Sequence, residues 1–429
     1  MGQTLSEPVC EKHTAFAEDD RLAWGVSEMQ GWRLTMEDAH AHELSLGEET
    51  AGKKTSFFAV YDGHGGSTVA RFAGDTVHSR LAANDAFKKR DFEAALKRAF
   101  LETDEDLRAN PDFRGDPSGC TAVSAIFTED LKIICANAGD SRAVMSLGGE
   151  AKPLSFDHKP TNKSETSRIV AAGGFVEFGR VNGNLALSRA LGDFEFKQST
   201  TLDPEHQIVT ADPDITVHEH TSEDEFLVIA CDGIWDVLTS QQVIDFVRRS
   251  VALGKPLHTI AEDLMDRCLA PDSDWGGVGC DNMTAMIIAI KDGKTTDEWY
   301  AWMKERVDSG VGYKTPTEMV DPFSQGQGPR GALSAPLGGG AGRGGPPGSL
   351  SMALGAGGDE DDDEDDGEEL DLPAIQKALQ ARMAELAREE GGEVEAEVEM
   401  ADGDASAAKE GNEELPEAPK TSMSPPTTI

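Results

Sequence analysis

FFAVYDGHGG, residues 57–66, is an apolar run that stops abruptly at Asp62-Gly63 and is followed by His64 and a Gly65-Gly66 pair. The pattern predicts a buried strand that delivers a carboxylate to its own C-terminal edge. Asp-Gly by itself signals a turn, since Asp bonds its own backbone and Gly permits positive φ. Repetition changes the reading. Phe226–Cys231 is a second apolar run ending in Asp232-Gly233, with Asp236 three residues on; Ile133–Ala138 leads into Gly139-Asp140; Asp281-Asn282 stands directly before a fourth run, Met283–Ile290. Four strand edges carry acids.

Working outward, 429 residues with 38% hydrophobic content can bury a core of ordinary size. From Asp321 onward aromatics nearly vanish, Gly and Pro crowd together, and an acidic run spans Asp359–Glu369, so residues 321–429 read as a tail. The formal charge of −40 repels nucleic acid, and the tail holds nearly half of it. Asp371, Pro373, a stripe of Ile375, Leu379, Met383 and Leu386, and Gly391 predict one isolated helix at about residues 372–390. The six cysteines form no C-x-x-C pair, and no secretory segment or long apolar span is present. Free thiols in a reducing compartment, cytoplasmic and nuclear, are expected. Residues 1–20 form an N-terminal segment opening MGQTLS, which fits N-myristoylation at Gly2. One acyl chain binds membranes with K of about 10⁴ M⁻¹, so any attachment is weak and reversible.

Trp24–Met29 reads as a strand that turns at Gln30-Gly31 towards Arg33 and Glu37, which would share one face of an extended segment. Ser67–Leu81 and Phe92–Leu107 read as core helices. Ala122–Phe127 and Leu131–Ala138 read as a hairpin turning at Thr128–Asp130. Gly173–Gly192 is glycine-rich and weakly periodic, which predicts a surface excursion. Gln241–Arg249, Ile260–Cys268 and Asp297–Val307 read as the remaining helices.

Glu37, Asp62, Asp232 and Asp281, with Asp140 and Asp236, offer only oxygen, which suits Mg²⁺ or Mn²⁺ and not a structural zinc. Clustered without cations, these acids would raise one another's pKa, so either metal binds or they do not converge; spacing alone leaves both open. Two ions about 4 Å apart would generate hydroxide for attack on phosphorus. Arg33 could complement the phosphoryl oxygens, and His64 could protonate the leaving oxygen. Other chemistries fit less well. Cys135 and Arg142 are one residue too far apart for a thiol phosphatase loop, Gly139–Ala143 ends in Ala where a nucleophile elbow needs Gly, and no Walker A sequence is present.

GWRLTMEDAH (31–40), VYDGHGG (60–66), GDSRAV (139–144), LALSRALGD (185–193), ACDGIWDV (230–237) and GCDNMTAMII (279–288) together resemble the type 2C (PPM) metal-dependent serine/threonine protein phosphatases, nearest to fungal members that begin MGQ. The likeness covers roughly residues 21–313. It implies an α+β fold, a four-layer αββα sandwich of two antiparallel sheets flanked by helices, as a catalytic domain over 21–320. It also implies that Glu37, Asp62 and the Gly63 carbonyl bind one Mg²⁺ or Mn²⁺ ion, and Asp62, Asp232 and Asp281 a second. Asp140, Asp232 and Asp236 match a weaker third site, with Asp38 acting through bound water. Arg33 matches the phosphate-binding arginine, His64 the general acid, and Gly173–Gly192 a flap beside the cleft. Cys120 departs from the Ser of many relatives, and the tail is not shared. The expected function is hydrolysis of phosphoserine and phosphothreonine in phosphoprotein substrates by metal-bound hydroxide, without a phosphoenzyme, in a monomer. The alternative is a catalytically inactive phosphatase fold serving as a binding module.

Overall fold

Side-chain alternation assigns the layers. In the computed structural model, which describes residues 4–47, 53–273, 277–319 and 321–324, Phe57, Ala59 and Tyr61 pack towards helices while Phe58 and Val60 pack towards a second sheet. Phe226, Val228 and Ala230 likewise face helices on the other side, and Leu227, Ile229 and Cys231 face back between the sheets. Both faces of these strands are covered, which is why they read as continuous apolar runs.

A five-stranded antiparallel sheet runs in the order Asp214–His218, Ile133–Ala138, Ala122–Phe127, Ser56–Tyr61, Ala39–Glu43. A six-stranded antiparallel sheet runs Thr4–Glu18, Leu22–Arg33, Met283–Ile290, Asp224–Ala230, Arg142–Leu147, Glu150–Pro153. The first is covered by helices Thr68–Ala83 and Phe92–Ala109, the second by Ser240–Ala252, Leu257–Cys268 and Thr296–Ser309. The result is the four-layer αββα sandwich. Between the sheets Phe58 and Phe127 meet edge to face with centroids 5.7 Å apart; truncating a buried Phe to Ala costs about 3–5 kcal/mol.

Three readings need correction. Thr4–Glu18, set apart above as an N-terminal segment, is an edge strand of the six-stranded sheet. It is mostly exposed, so backbone pairing places it and no apolar pattern marks it. Leu22–Arg33 does not turn at Gln30-Gly31; it continues to Arg33, with Gly31 taking φ +65° within the strand. Gly173–Gly192 is an excursion only in its first half, where Val176–Glu177 pairs with Arg180–Val181. Leu187, Ser188, Ala190 and Leu191 are buried.

All six cysteines are free. No helix among the described residues is long and apolar enough to cross a membrane. The chain divides by its internal contacts into Met1–Leu337 and Gly338–Ile429. Gly2, the acidic run and the helix expected at 372–390 lie outside the described residues.

Candidate metal centre

Strand register brings the acids together. Ala230 pairs with both Ala285 and Arg142, and Met283 with Met29, so the strand ends next to Asp232, Asp281, Asp140 and Arg33 share one edge of the six-stranded sheet. In the other sheet Tyr61 pairs with Ala39, and Ala122 with Ala138, so Asp62, Asp38 and Asp140 leave from a common edge. The glycines of the two Asp-Gly pairs serve close approach and not positive φ: a Cβ on Gly63 would stand 2.2 Å from Glu37 O, and one on Gly233 2.1 Å from Asn282 O. Asn282 ties these loops together. Its Oδ1 accepts from the Glu37 backbone N–H at 3.0 Å, and its Nδ2 donates to Gln30 O and Thr35 O.

The electrostatics report convergence. Burial, and then the charges of Asp232, Asp38, Asp281 and Asp140, hold the Asp62 carboxyl well above the usual range. Burial followed by Asp140, Asp281 and Asp236 does the same to Asp232, against an opposing pull from Lys159. Asp38 is pushed up to about 7 by burial, with the Thr284 hydroxyl opposing and Asp281 reinforcing. Asp236 also moves upward, chiefly by desolvation. Arg33 Nη2 reaches Asp281 Oδ2 at 2.5 Å, and Lys159 Nζ reaches Asp140 Oδ2 at 2.5 Å. Among the described residues no ion pair reaches Asp62, Asp232 or Asp38, and Asp38 Oδ1 is buried without a hydrogen-bond partner. Glu37 accepts from the Thr35 hydroxyl and from Gly66 N–H.

An all-oxygen set with surplus negative charge fits hard divalent cations. Asp38, Asp62 and Cys231 each offer an atom within 4.8 Å of the others. Cys231 is not a suitable donor: burial and the neighbouring acids raise its thiol well above its ordinary pKa, whereas metal binding needs thiolate.

His64 faces the same cluster. Burial disfavours its charged form, but the hydrogen bond and charge of Asp193, with Asp140 and Glu37, outweigh that and move it upward. His64 Nε2 lies 2.7 Å from Asp193 Oδ2.

The protein phosphatase 2C family profile matches residues 22–274. The chain belongs to the protein phosphatase 2C family. As a member it is a protein serine/threonine phosphatase, a hydrolase, and phosphoproteins are its substrate class. It is 55% identical over 326 residues to protein phosphatase 2C homolog 2 of Hypocrea jecorina, covering 75% of this chain and 74% of that one. Against the homolog 2 of Schizosaccharomyces pombe it is 51% identical, covering 75% and 87%. A crystal structure of a Toxoplasma gondii phosphatase superposes with TM-score 0.55 at 26% identity, covering 65% of this chain and 96% of that one.

Asp193, Lys159, Asn282 and Thr284 are the site residues that sequence reasoning passed over. Asp193 closes the quoted LALSRALGD stretch, and its Asp was the available signal. Lys159 had none.

Proposed function

We propose that this phosphatase works on phosphoserine and phosphothreonine through two Mg²⁺ or Mn²⁺ ions held by Glu37, Asp62, the Gly63 carbonyl, Asp232 and Asp281, with Asp140 and Asp236 offering a weaker third site. The observation that carries the reading is that Asp62 and Asp232 are both held high by burial and by neighbouring carboxylates, with no side-chain ion pair to either among the described residues. When bound, the ions would supply positive charge for the phosphoryl oxygens and acidify a water for in-line attack.

The chain's own residues do the rest. Arg33, with 44% of its side chain exposed, presents a planar guanidinium to the phosphoryl oxygens while Asp281 orients it. Asp38 is anchored by the Thr284 hydroxyl at 2.7 Å, which leaves Oδ1 to accept from a water. His64 donates a proton to the departing seryl or threonyl oxygen. Among the described residues the Ser141 hydroxyl is hydrogen-bonded to Thr121 at 2.7 Å and Cys231 is held as a thiol, so neither offers a ready nucleophile for a phosphoenzyme.

Turnover of a phosphothreonine peptide tests the proposal. It should appear with manganese and vanish with EDTA. Activity that survives EDTA would contradict the metal reading, and no activity with any divalent cation would favour the inactive binding module.

A further inference from the structure

Gly63–His64, Gly119–Cys120 and Leu191–Gly192 form a three-stranded antiparallel sheet. Gly119 is its middle rung, opposite His64 on one side and Gly192 on the other. The next residue, Asp193, is buried and takes a left-handed conformation, φ 50° and ψ 41°. Non-glycine residues adopt that region at an energetic cost, and such strain gathers at working sites. The conformation aims the carboxylate back across the sheet at the imidazole. Gly119 makes the room: a Cβ there would stand 2.3 Å from Asp193 Oδ2 and 2.7 Å from His64 Nε2.

A buried pair brackets the turn. Asp104 Oδ1 accepts from Gly192 N–H and from Lys197 Nζ, both at 2.8 Å, and Lys197 Nζ also donates to Ala190 O. Asp193 is thus held from both flanks.

We propose that Asp193 is the positioning residue for proton delivery by His64. The proposal rests on the acid role given to His64 above. Asp193 accepts from Nε2–H, fixing the ring's orientation and leaving Nδ1–H as the proton to be transferred. As water oxygen bonds to phosphorus, the P–O ester bond breaks, its electron pair leaves on the seryl or threonyl oxygen, and the attacking water's protons stay with the phosphate until solvent takes them up. Nδ1 supplies the proton to that oxygen, His64 becomes the neutral Nε2–H form still bound to Asp193, and solvent returns the lost proton.

Leaving-group dependence separates this role from a structural one, because an activated aryl phosphate departs without an acid. His64→Gln, Asp193→Asn and the double variant are compared on a phosphothreonine peptide and on p-nitrophenyl phosphate, with manganese affinity and melting temperature recorded. Asp193→Asn should lower kcat for the peptide about 10- to 100-fold. KM, the aryl phosphate rate and manganese affinity should change less than about threefold, and the double variant should be no worse than His64→Gln. Asp193→Glu should recover part of the peptide rate. If His64→Gln leaves peptide turnover intact, the acid role falls and the present proposal falls with it. If His64→Gln is slow but Asp193→Asn is not, or if Asp193→Asn slows both substrates equally, only the Asp193 assignment is overturned.

Discussion

Asp62 shows most clearly how residue-level physics governs this site. Removing one carboxylate from a like-charged cluster relieves repulsion, so Asp62→Asn should leave the metal-free protein at least as stable as the wild type while abolishing phosphopeptide turnover. Thermal unfolding in EDTA and a turnover assay in manganese read the two effects; a lower melting temperature in EDTA would contradict the account of Asp62. Arg33 acts on a different quantity. Arg33→Ala should raise KM for a phosphopeptide about 10- to 100-fold with a smaller change in kcat, the mark of lost ground-state binding. A kcat loss with KM unchanged would place the guanidinium elsewhere. The Asp-Gly pairs were legible as strand ends carrying acids, but the reason for their glycines was not. Close passage of Glu37 O and Asn282 O is a tertiary fact that a local turn rule does not contain.

Among the elements, the helix Lys163–Ala171 and the segment after it are joined through one buried acid. Glu165 accepts from Arg168, Arg189 and the Ser188 hydroxyl, each at 2.7 Å. Burial alone would raise its pKa, but Arg189 and Arg168 outweigh burial and hold it at about 2, against an ordinary 4.5. A depressed folded-state pKa contributes stability that is present above about 4.5 and lost as pH falls towards 2. Glu165→Gln should therefore destabilise the protein at pH 7 by on the order of 3 kcal/mol, and its difference from wild type should shrink as pH falls through that window. Urea midpoints at a series of pH values check this, and a pH-independent difference would refute it. The same cluster explains why Gly173–Gly192 is half excursion and half core: Arg189 and Ser188 look like surface residues until Glu165 is placed under them. The edge strand Thr4–Glu18 escaped the sequence for the opposite reason. Its order comes from backbone pairing with Leu22–Arg33, and its side chains show no alternation to read.

For the whole molecule, the continuous apolar runs already implied strands covered on both faces, and the six motifs implied the sandwich and its acidic edge. Which acids meet, and that Asp193 turns back upon His64, depended on register between distant strands and on one left-handed residue, neither of which periodicity reports. The family match ends at residue 274, and the sandwich core draws on residues before 325. A chain ending after Ser324 should accordingly turn over a short phosphothreonine peptide within about twofold of the full chain; a large loss would show that the remainder takes part in the reaction. On the proposed reading, divalent cations hold Asp62 and Asp232 together. Calorimetric titration of manganese into the wild type, Asp62→Asn and Asp232→Asn tests it most directly. The wild type should bind two ions with saturation that tracks the rise in activity, and each variant should lose binding in proportion to its activity; variants that bind manganese as the wild type does would contradict the account.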